Sequence, residues 1–564
     1  MGIEDLTPEA VQGMTWTDLE PRFDHLARAP LSPESLDGWL TEWSALEAVV
    51  WEATALAGLA CARDTTDADA EATHLRLAGE ITPRVEEQHI RLTERLLELD
   101  GIPTDLAPTV QAARDQRRTF RADHAAAQAE LAALSARYDQ IAGSLTAMWD
   151  GATVPVNDLA RHFEDPDRAV RERAVRGWLD AYVARRDELA DLFDAQYRLR
   201  QAVATSTGFA NYLDYDYRVK SRPYRPDHAR AFHDMVERTV VPVLARRRER
   251  QRRALNLDSF TIWDTVVDLS GQPPLRPATT GAELLSTTQR ILQRIHPEFG
   301  ERFALMMAEG RIDIDARPGK APGGFCTTLD WSRRPFIFGN RLGTHDDVTL
   351  LLHEGGHALH AFAAYAHQPL VFQRYPGAEM NELVAMSMDL LGSRYLARRD
   401  GGYYADDDAH RAEIRQLEQI LSLLTWIAWV DAFQVWVYTS GQGHDRDARD
   451  AAWVELAHRF DPVTDWRTYP EGLVARWYQQ SLIFVAPLYM TEYGIAQFGA
   501  LRIWRDSLAD ERGTVDALRH AMSLGNTRFL PELFAAAGIT FDLDGSTTSD
   551  LIDFIVDRLA DLEH

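Results

Sequence analysis

The amino-acid sequence predicts a mainly helical protein with one small β-sheet. From about residue 33 to 145 the chain is rich in Ala, Leu, Glu and Arg with apolar residues three and four apart, and the same texture returns throughout. Strand signals are short, the clearest being 311–315 and 335–338. Two apolar stretches, 346–362 and 379–391, have helical spacing and carry histidines and acids.

In 82–99, Val85, His89, Leu92 and Leu96 share a face, which predicts long antiparallel helices for the N-terminal part. The stretch 143–155 is less regular, and Gly151-Ala152-Thr153-Val154-Pro155 predicts a short strand or turn. An N-terminal helical lobe of residues 1–155 is therefore expected, followed by a second domain, 156–564. Asp165-Pro166-Asp167 predicts an N-cap with proline in the first helical position, opening a helix that runs to about Thr205. Tyr212, Tyr215 and Tyr217 read as core packing. Pro226-Asp227 opens another helix, expected to reach about Leu257, and the arginines at 246–253 read as a solvated face paired with nearby acids.

Strict alternation in Arg311-Ile312-Asp313-Ile314-Asp315 and the apolar run 335–338 predict the strands, and a sheet beside the helix at 346–362. An edge strand there could hold an extended peptide through main-chain hydrogen bonds. The run 420–438 is apolar, but Asp431 and Gln434 interrupt it and Trp426, Trp429 and Trp436 are spread along it. It reads as a buried helix rather than a membrane span.

The central stretch is His353-Glu354-Gly355-Gly356-His357. On a helix, residues four apart share a face, so both imidazoles can address one metal ion, while Glu354 lies beside it. With 18 histidines in the chain an HExxH match can arise by chance, so its context carries the weight. Catalytic zinc takes three protein ligands, and the helix at 379–391 offers acids. Glu382 and Asp389, seven apart, suit a metal ligand and an acceptor for a ligating histidine N–H, with Glu379 a competing ligand one turn earlier.

Formal net charge is -26, which excludes nucleic acid and anionic membrane as main partners, since both need a positive footprint. Two cysteines, Cys61 and Cys326, make a disulfide framework unexpected and point to a reducing compartment. The first residues lack the positive-then-apolar pattern of a signal peptide, and Leu6 breaks the myristoylation pattern, so a cytoplasmic protein is expected.

These residues resemble the M3 metallopeptidases of the thimet oligopeptidase and oligoendopeptidase F type. In that family the third ligand is a Glu 25 positions after the second His, which here is Glu382. The segments 319–327 and 335–340, with Pro487, Tyr489 and Glu492-Tyr493-Gly494, look like the oligoendopeptidase F branch. Matching character runs from about Leu159 to about Trp504.

The resemblance implies two helical lobes around a deep substrate channel, with residues 156–564 as the catalytic domain. It implies Zn2+ on His353, His357 and Glu382, with Asp389 and His360 as outer partners and Glu354 as general base. The expected substrates are short unfolded peptides, and the oligomeric state is left open. On a C-terminal helix the family carries a pattern like His-Ile-Phe-x-x-Pro-Phe-Tyr-Tyr-x-x-Tyr, whose His and Tyr serve the oxyanion. This chain has Leu482 at the His position and Met490 at one Tyr position, and keeps Tyr489 and Tyr493. The expected activity is zinc-dependent hydrolysis of internal peptide bonds. The departure at Leu482 keeps a second reading open, a scaffold turned to a non-peptide or biosynthetic substrate. A metal-binding protein without catalysis ranks third.

Overall fold

The computed structural model describes residues 5–121, 124–542 and 548–563. The fold is mainly helical with two small sheets, and the chain forms two compact units, each built from three separated segments. Residues 1–118, 277–406 and 499–541 form the first; 119–276, 407–498 and 542–564 form the second. The division of contiguous segments at residue 155 stands as a proposal about the chain.

In the first unit the long helix Leu36–Arg63 buries Trp39, Trp43, Leu46, Val49 and Val50 against Phe23, Leu77, Val85 and Leu92 of neighbouring helices. The helix Thr82–Leu97 buries Val85, Leu92 and Leu96, as the spacing predicts. Three strands follow later in this unit: β3 (Ile312–Asp313), β4 (Phe325–Thr327) and β5 (Phe336–Phe338), with β5 in the middle, parallel to β3 and antiparallel to β4. Phe336 and Phe338 pack with Leu59 of the long helix. Lys320 pins the sheet: its Nζ donates to the Asp313 carboxylate and to the carbonyls of Asp313, Asp315 and Gly339.

The second unit contains the hairpin β1 (Thr146–Trp149) and β2 (Ala152–Pro155). Its turn residues Asp150 and Gly151 both take positive φ, which an Asp-Gly pair supplies readily. The helix expected from Asp165 is capped by Asp167 instead, whose side chain accepts from the Ala169 N–H, while Pro166 stays outside in a turn closed by Asp165. It is also two helices, Arg168–Val183 and Arg186–Ser206, and no Gly or Pro marks the break. The helix expected from Pro226 breaks at Val240 into Pro226–Thr239 and Val241–Ala254. Pro242 explains this, since it lacks an N–H and its ring crowds the carbonyl four residues back.

Arg247, Arg248, Arg250, Arg252 and Arg253 of Val241–Ala254 pair with acids as expected, but the face is not solvated throughout. Arg247 and Arg248 side chains are only 14% and 9% exposed, on Glu418 and Asp461. Tyr215 and Tyr217 are buried, in keeping with core packing. The helix Asp406–Thr439 is long and apolar enough to cross a membrane, as is Leu36–Arg63, but its apolar window is 78% buried inside the protein. Trp429 stacks on Trp453 at 4.5 Å, and Phe433 packs edge-on against the same indole. Cys61 and Cys326 are free thiols.

Candidate metal centre

The histidines stand on the helix Asp346–His367, in the first unit. Asp347 ties down its start by accepting the main-chain N–H groups of Leu342 and Gly343 at 2.8 and 2.7 Å. One long side of this helix meets the sheet. Leu350 lies so close to Gly324 and Gly339 that a Cβ on either would come within 2.5 or 2.7 Å of it. Another side meets the helix Ala378–Ser393, which carries the acids. Gly356 faces Ala385 and Gly392 faces Leu352, so the two helices run antiparallel with their backbones almost touching.

That close approach assembles the site. Among the described residues, His353, His357 and Glu382 are the group whose donor atoms converge, all within 4.8 Å of one another. Glu382 Oε2 lies 3.4 Å from His353 Nε2 and 3.9 Å from His357 Nε2, and the two rings are perpendicular with centroids 5.0 Å apart. Glu379 is buried on the same helix but is not among the converging donors. Donor atoms about 2.0–2.2 Å from a tetrahedral zinc lie roughly 3.3–3.5 Å apart. The 3.4 Å pair has that spacing, the 3.9 Å pair is somewhat wider, and the donor set of two imidazoles and one carboxylate suits that ion.

Asp389 Oδ2 sits 3.2 Å from His353 Nδ1, on the far side of the ring from Glu382, which fixes the ring's orientation. Burial opposes charge on His353, but Asp389 and Glu382 outweigh it and push the imidazole pKa well above its usual range. A metal cation would compete with that proton, so binding would release it. Burial, together with His353, pushes His357 down to about 4, leaving the neutral form that ligates metals.

Glu354 is buried beside these groups, and burial, helped by Glu382 and Asp389 and opposed by His353, raises its carboxyl to about 7. Cys326 of β4 is its main-chain neighbour, so the sheet and the carboxylate are in contact. β4 is an edge strand, paired with β5 on one side only among the described residues. Asn340 holds the approach to β4 by donating to the carbonyls of Ala321 and Gly323. His360 is 2% exposed with Asn381 beside it, and burial pushes its pKa down to about 3. It is not among the converging donors.

Tyr489 and Tyr493 belong to the second unit, ring centroids 5.0 Å apart. The segment that carries them is gripped by its main chain. Arg200 donates to the carbonyls of Ile483 and Phe484, Lys220 to Pro487, and Arg222 to Leu488, while Gln434 accepts the Leu488 N–H. Leu488 itself takes φ 61°, a strained value for a branched residue, and the grip holds it there. Arg222 is also ion-paired to Glu492, one residue before Tyr493. Leu482 is half-buried at the start of the short helix Ser481–Val485. Sequence reasoning missed these clamps, which come from segments more than 50 residues away, and missed Gly356, whose glycine inside an apolar helix was the available signal.

Fold and cluster together define a helical protein of the HExxH type, with a third, acidic donor supplied by a second helix. The model for peptidase family M3 matches residues 161–548, more than half of the chain, and the protein belongs to that family. The chain is 22% identical over 323 residues to the chromosomal oligoendopeptidase F of Lactococcus lactis subsp. cremoris, covering 54% of this chain and 49% of that one. It is 23% identical over 219 residues to the group B oligopeptidase PepB of Streptococcus agalactiae, covering 38% of this chain and 34% of that one. The chain thus spans about half the length of the first curated relative and a third of the second. Among solved structures, PZ peptidase A with an inhibitor superimposes with a TM-score of 0.90 at 22% identity, over 97% of this chain and 98% of that one. That likeness speaks for the fold.

Proposed function

We propose that this protein is a zinc-dependent oligopeptidase that hydrolyses internal bonds of short, unfolded peptides. The observation that carries the reading is the convergence of His353, His357 and Glu382 beside the buried carboxylate of Glu354, in a chain of peptidase family M3. The three converging residues would hold Zn2+. When bound, that ion supplies Lewis acidity and makes water a better nucleophile near neutral pH.

The protein's own groups do the rest. Asp389 holds the Nδ1 side of His353, so that Nε2 faces Glu382. Glu354 takes a proton from the attacking water and delivers it to the leaving amine. The edge strand β4 offers main-chain donors and acceptors to an extended peptide. The resemblance to the family implies a Tyr489 or Tyr493 hydroxyl as the donor to the oxyanion. The names of the two curated relatives, an oligoendopeptidase and an oligopeptidase, support short peptides as the substrate class. A cytoplasmic setting is supported by the free thiols of Cys61 and Cys326.

Leu482 supports the second reading, an M3 scaffold with a non-peptide substrate, because its side chain cannot replace the imidazole the family places there. Metal analysis and a peptide digest separate the readings. The wild type should carry one zinc per chain and His357→Ala should lose it. Glu382→Gln, not Glu379→Gln, should weaken binding. Mass spectrometry of a mixed pool of short peptides should then show internal cleavage that a chelator abolishes. Zinc bound without cleavage of any peptide would favour the second reading.

A further inference from the structure

The second unit contains a cavity of about 650 Å3 that shares no residue with the metal centre. Pockets of about 300–1,000 Å3 suit small organic ligands. Its walls come mainly from the arginine-rich helix Val241–Ala254 with the stretch 262–275 after it, residues 411–429 of the helix Asp406–Thr439, and Arg476 on the helix Pro470–Gln479, and Glu164, Asp461 and Glu563 complete the lining. Arg411 straps the stretch 262–275 in place, donating to Asp268 and to the Pro273 carbonyl.

The charges in this cavity do not cancel. Six arginines and five carboxylates line it. Arg247 pairs with Glu418 and Glu563, Arg248 with Asp461, and Arg411 with Asp268. Arg250 shares Glu563, and Arg415 pairs with Glu164. Arg476 is left over: among the described residues it makes no hydrogen bond or ion pair, and its guanidinium lies 4.2 Å over the Trp426 ring and 5.6 Å from that of Trp429. Asp461 acts on it electrostatically, but its carboxylate is engaged by Arg248 and Thr464. Burial, joined by the Arg248 charge and opposed by Asp461, pushes Arg476 down to about 10. Half-buried and part of the cavity lining, Arg476 keeps its donors available to a ligand.

From the unmet guanidinium and the apolar walls around it, we infer that this cavity is a binding site for an organic monocarboxylate with a bulky apolar body. Arg476 anchors the carboxylate through its planar fork of donors. Trp426, Trp429, Leu269, Leu275 and Ile414 receive the apolar part. The single excess positive charge of the lining matches a monoanion, and a doubly charged phosphate would leave a negative charge without a partner in a chain already at -26.

Calorimetry on the full-length protein tests this without reference to peptide cleavage, so its outcome is independent of the proposed function. The probes are indole-3-butyrate, its neutral primary amide and inorganic phosphate. The carboxylate should bind at least tenfold more tightly than the amide or phosphate. Arg476→Met should lower carboxylate affinity at least tenfold and leave the amide unaffected. It should also melt no lower than the wild type, because it removes an unpaired charge; a purely structural arginine held by tryptophans would melt lower. Ser422→Trp, which fills the cavity and leaves Arg476 in place, should abolish binding of both indoles and serves as the second variant. Absence of carboxylate binding, equal affinity for carboxylate and amide, unchanged affinity in Arg476→Met, or phosphate binding as tight as the carboxylate would each overturn the proposal.

Discussion

Gly356→Ala isolates what brings the acid to the histidines. A Cβ at residue 356 would stand 2.6 Å from Ala385 Cα, 3.2 Å from Ala385 N and 3.1 Å from Met388 Cγ. Carbon atoms prefer about 3.5–4.0 Å, so the two helices must part by roughly 1 Å. Overpacking of this kind costs about 1–3 kcal/mol, against which alanine's better helix propensity returns about 1. The net change in stability is therefore small. The metal site is far less tolerant, because ligand distances hold within about 0.2 Å. Glu382 travels with the displaced helix, and its 3.4 and 3.9 Å separations from the histidines would open accordingly. Zinc affinity should fall at least tenfold, read by competition with a chelating dye, while the melting temperature moves by only a few degrees. Gly355→Ala is the control: its Cβ would meet only Leu292 and Phe303, at 3.7 Å or more, so zinc affinity should be unchanged and stability equal or higher. Wild-type zinc affinity in Gly356→Ala, or an equal loss in both variants, would refute the reasoning.

Leu482→His, measured on a pool of generic peptides, should raise turnover or leave it unchanged if the chain is a peptidase, since it restores an imidazole donor; a fall in turnover with the fold intact would point to a pocket shaped for another substrate. His89 predicts a pH-dependent term in stability. Burial opposes its charge, but Glu47, whose Oε1 lies 2.7 Å from His89 Nδ1, raises its pKa above 6.5 in the folded state. A raised folded pKa gives stability that is full below 6.5 and is lost as pH rises through the folded value. The melting-temperature gap between wild type and His89→Gln should thus shrink from pH 6 to pH 9, and a constant or widening gap would contradict the pairing.

The helices of the metal centre were legible because their information is local. Four-residue spacing put His353 and His357 on one face, and the apolar residues between the acids marked a second helix. Residue spacing alone left Glu379 and Glu382 as rivals; the family resemblance chose Glu382, and the geometry brings that residue to the histidines. The depth of contact between the helices was not legible, since it depends on Gly356 meeting Ala385 across a gap of about 30 residues. β4 escaped notice because three residues are too few for a period-2 pattern to show. The arginine run was read correctly as paired, but its enclosure depends on Asp461 and Arg476, which lie more than 200 residues away.

Glu354→Gln at matched zinc content tests the central claim most directly. The substitution keeps size and packing and removes only the ability to take up a proton. The account predicts full zinc occupancy, an unchanged melting curve and a loss of at least 100-fold in turnover of the peptide pool. Turnover within a few-fold of the wild type, with zinc bound, would contradict it.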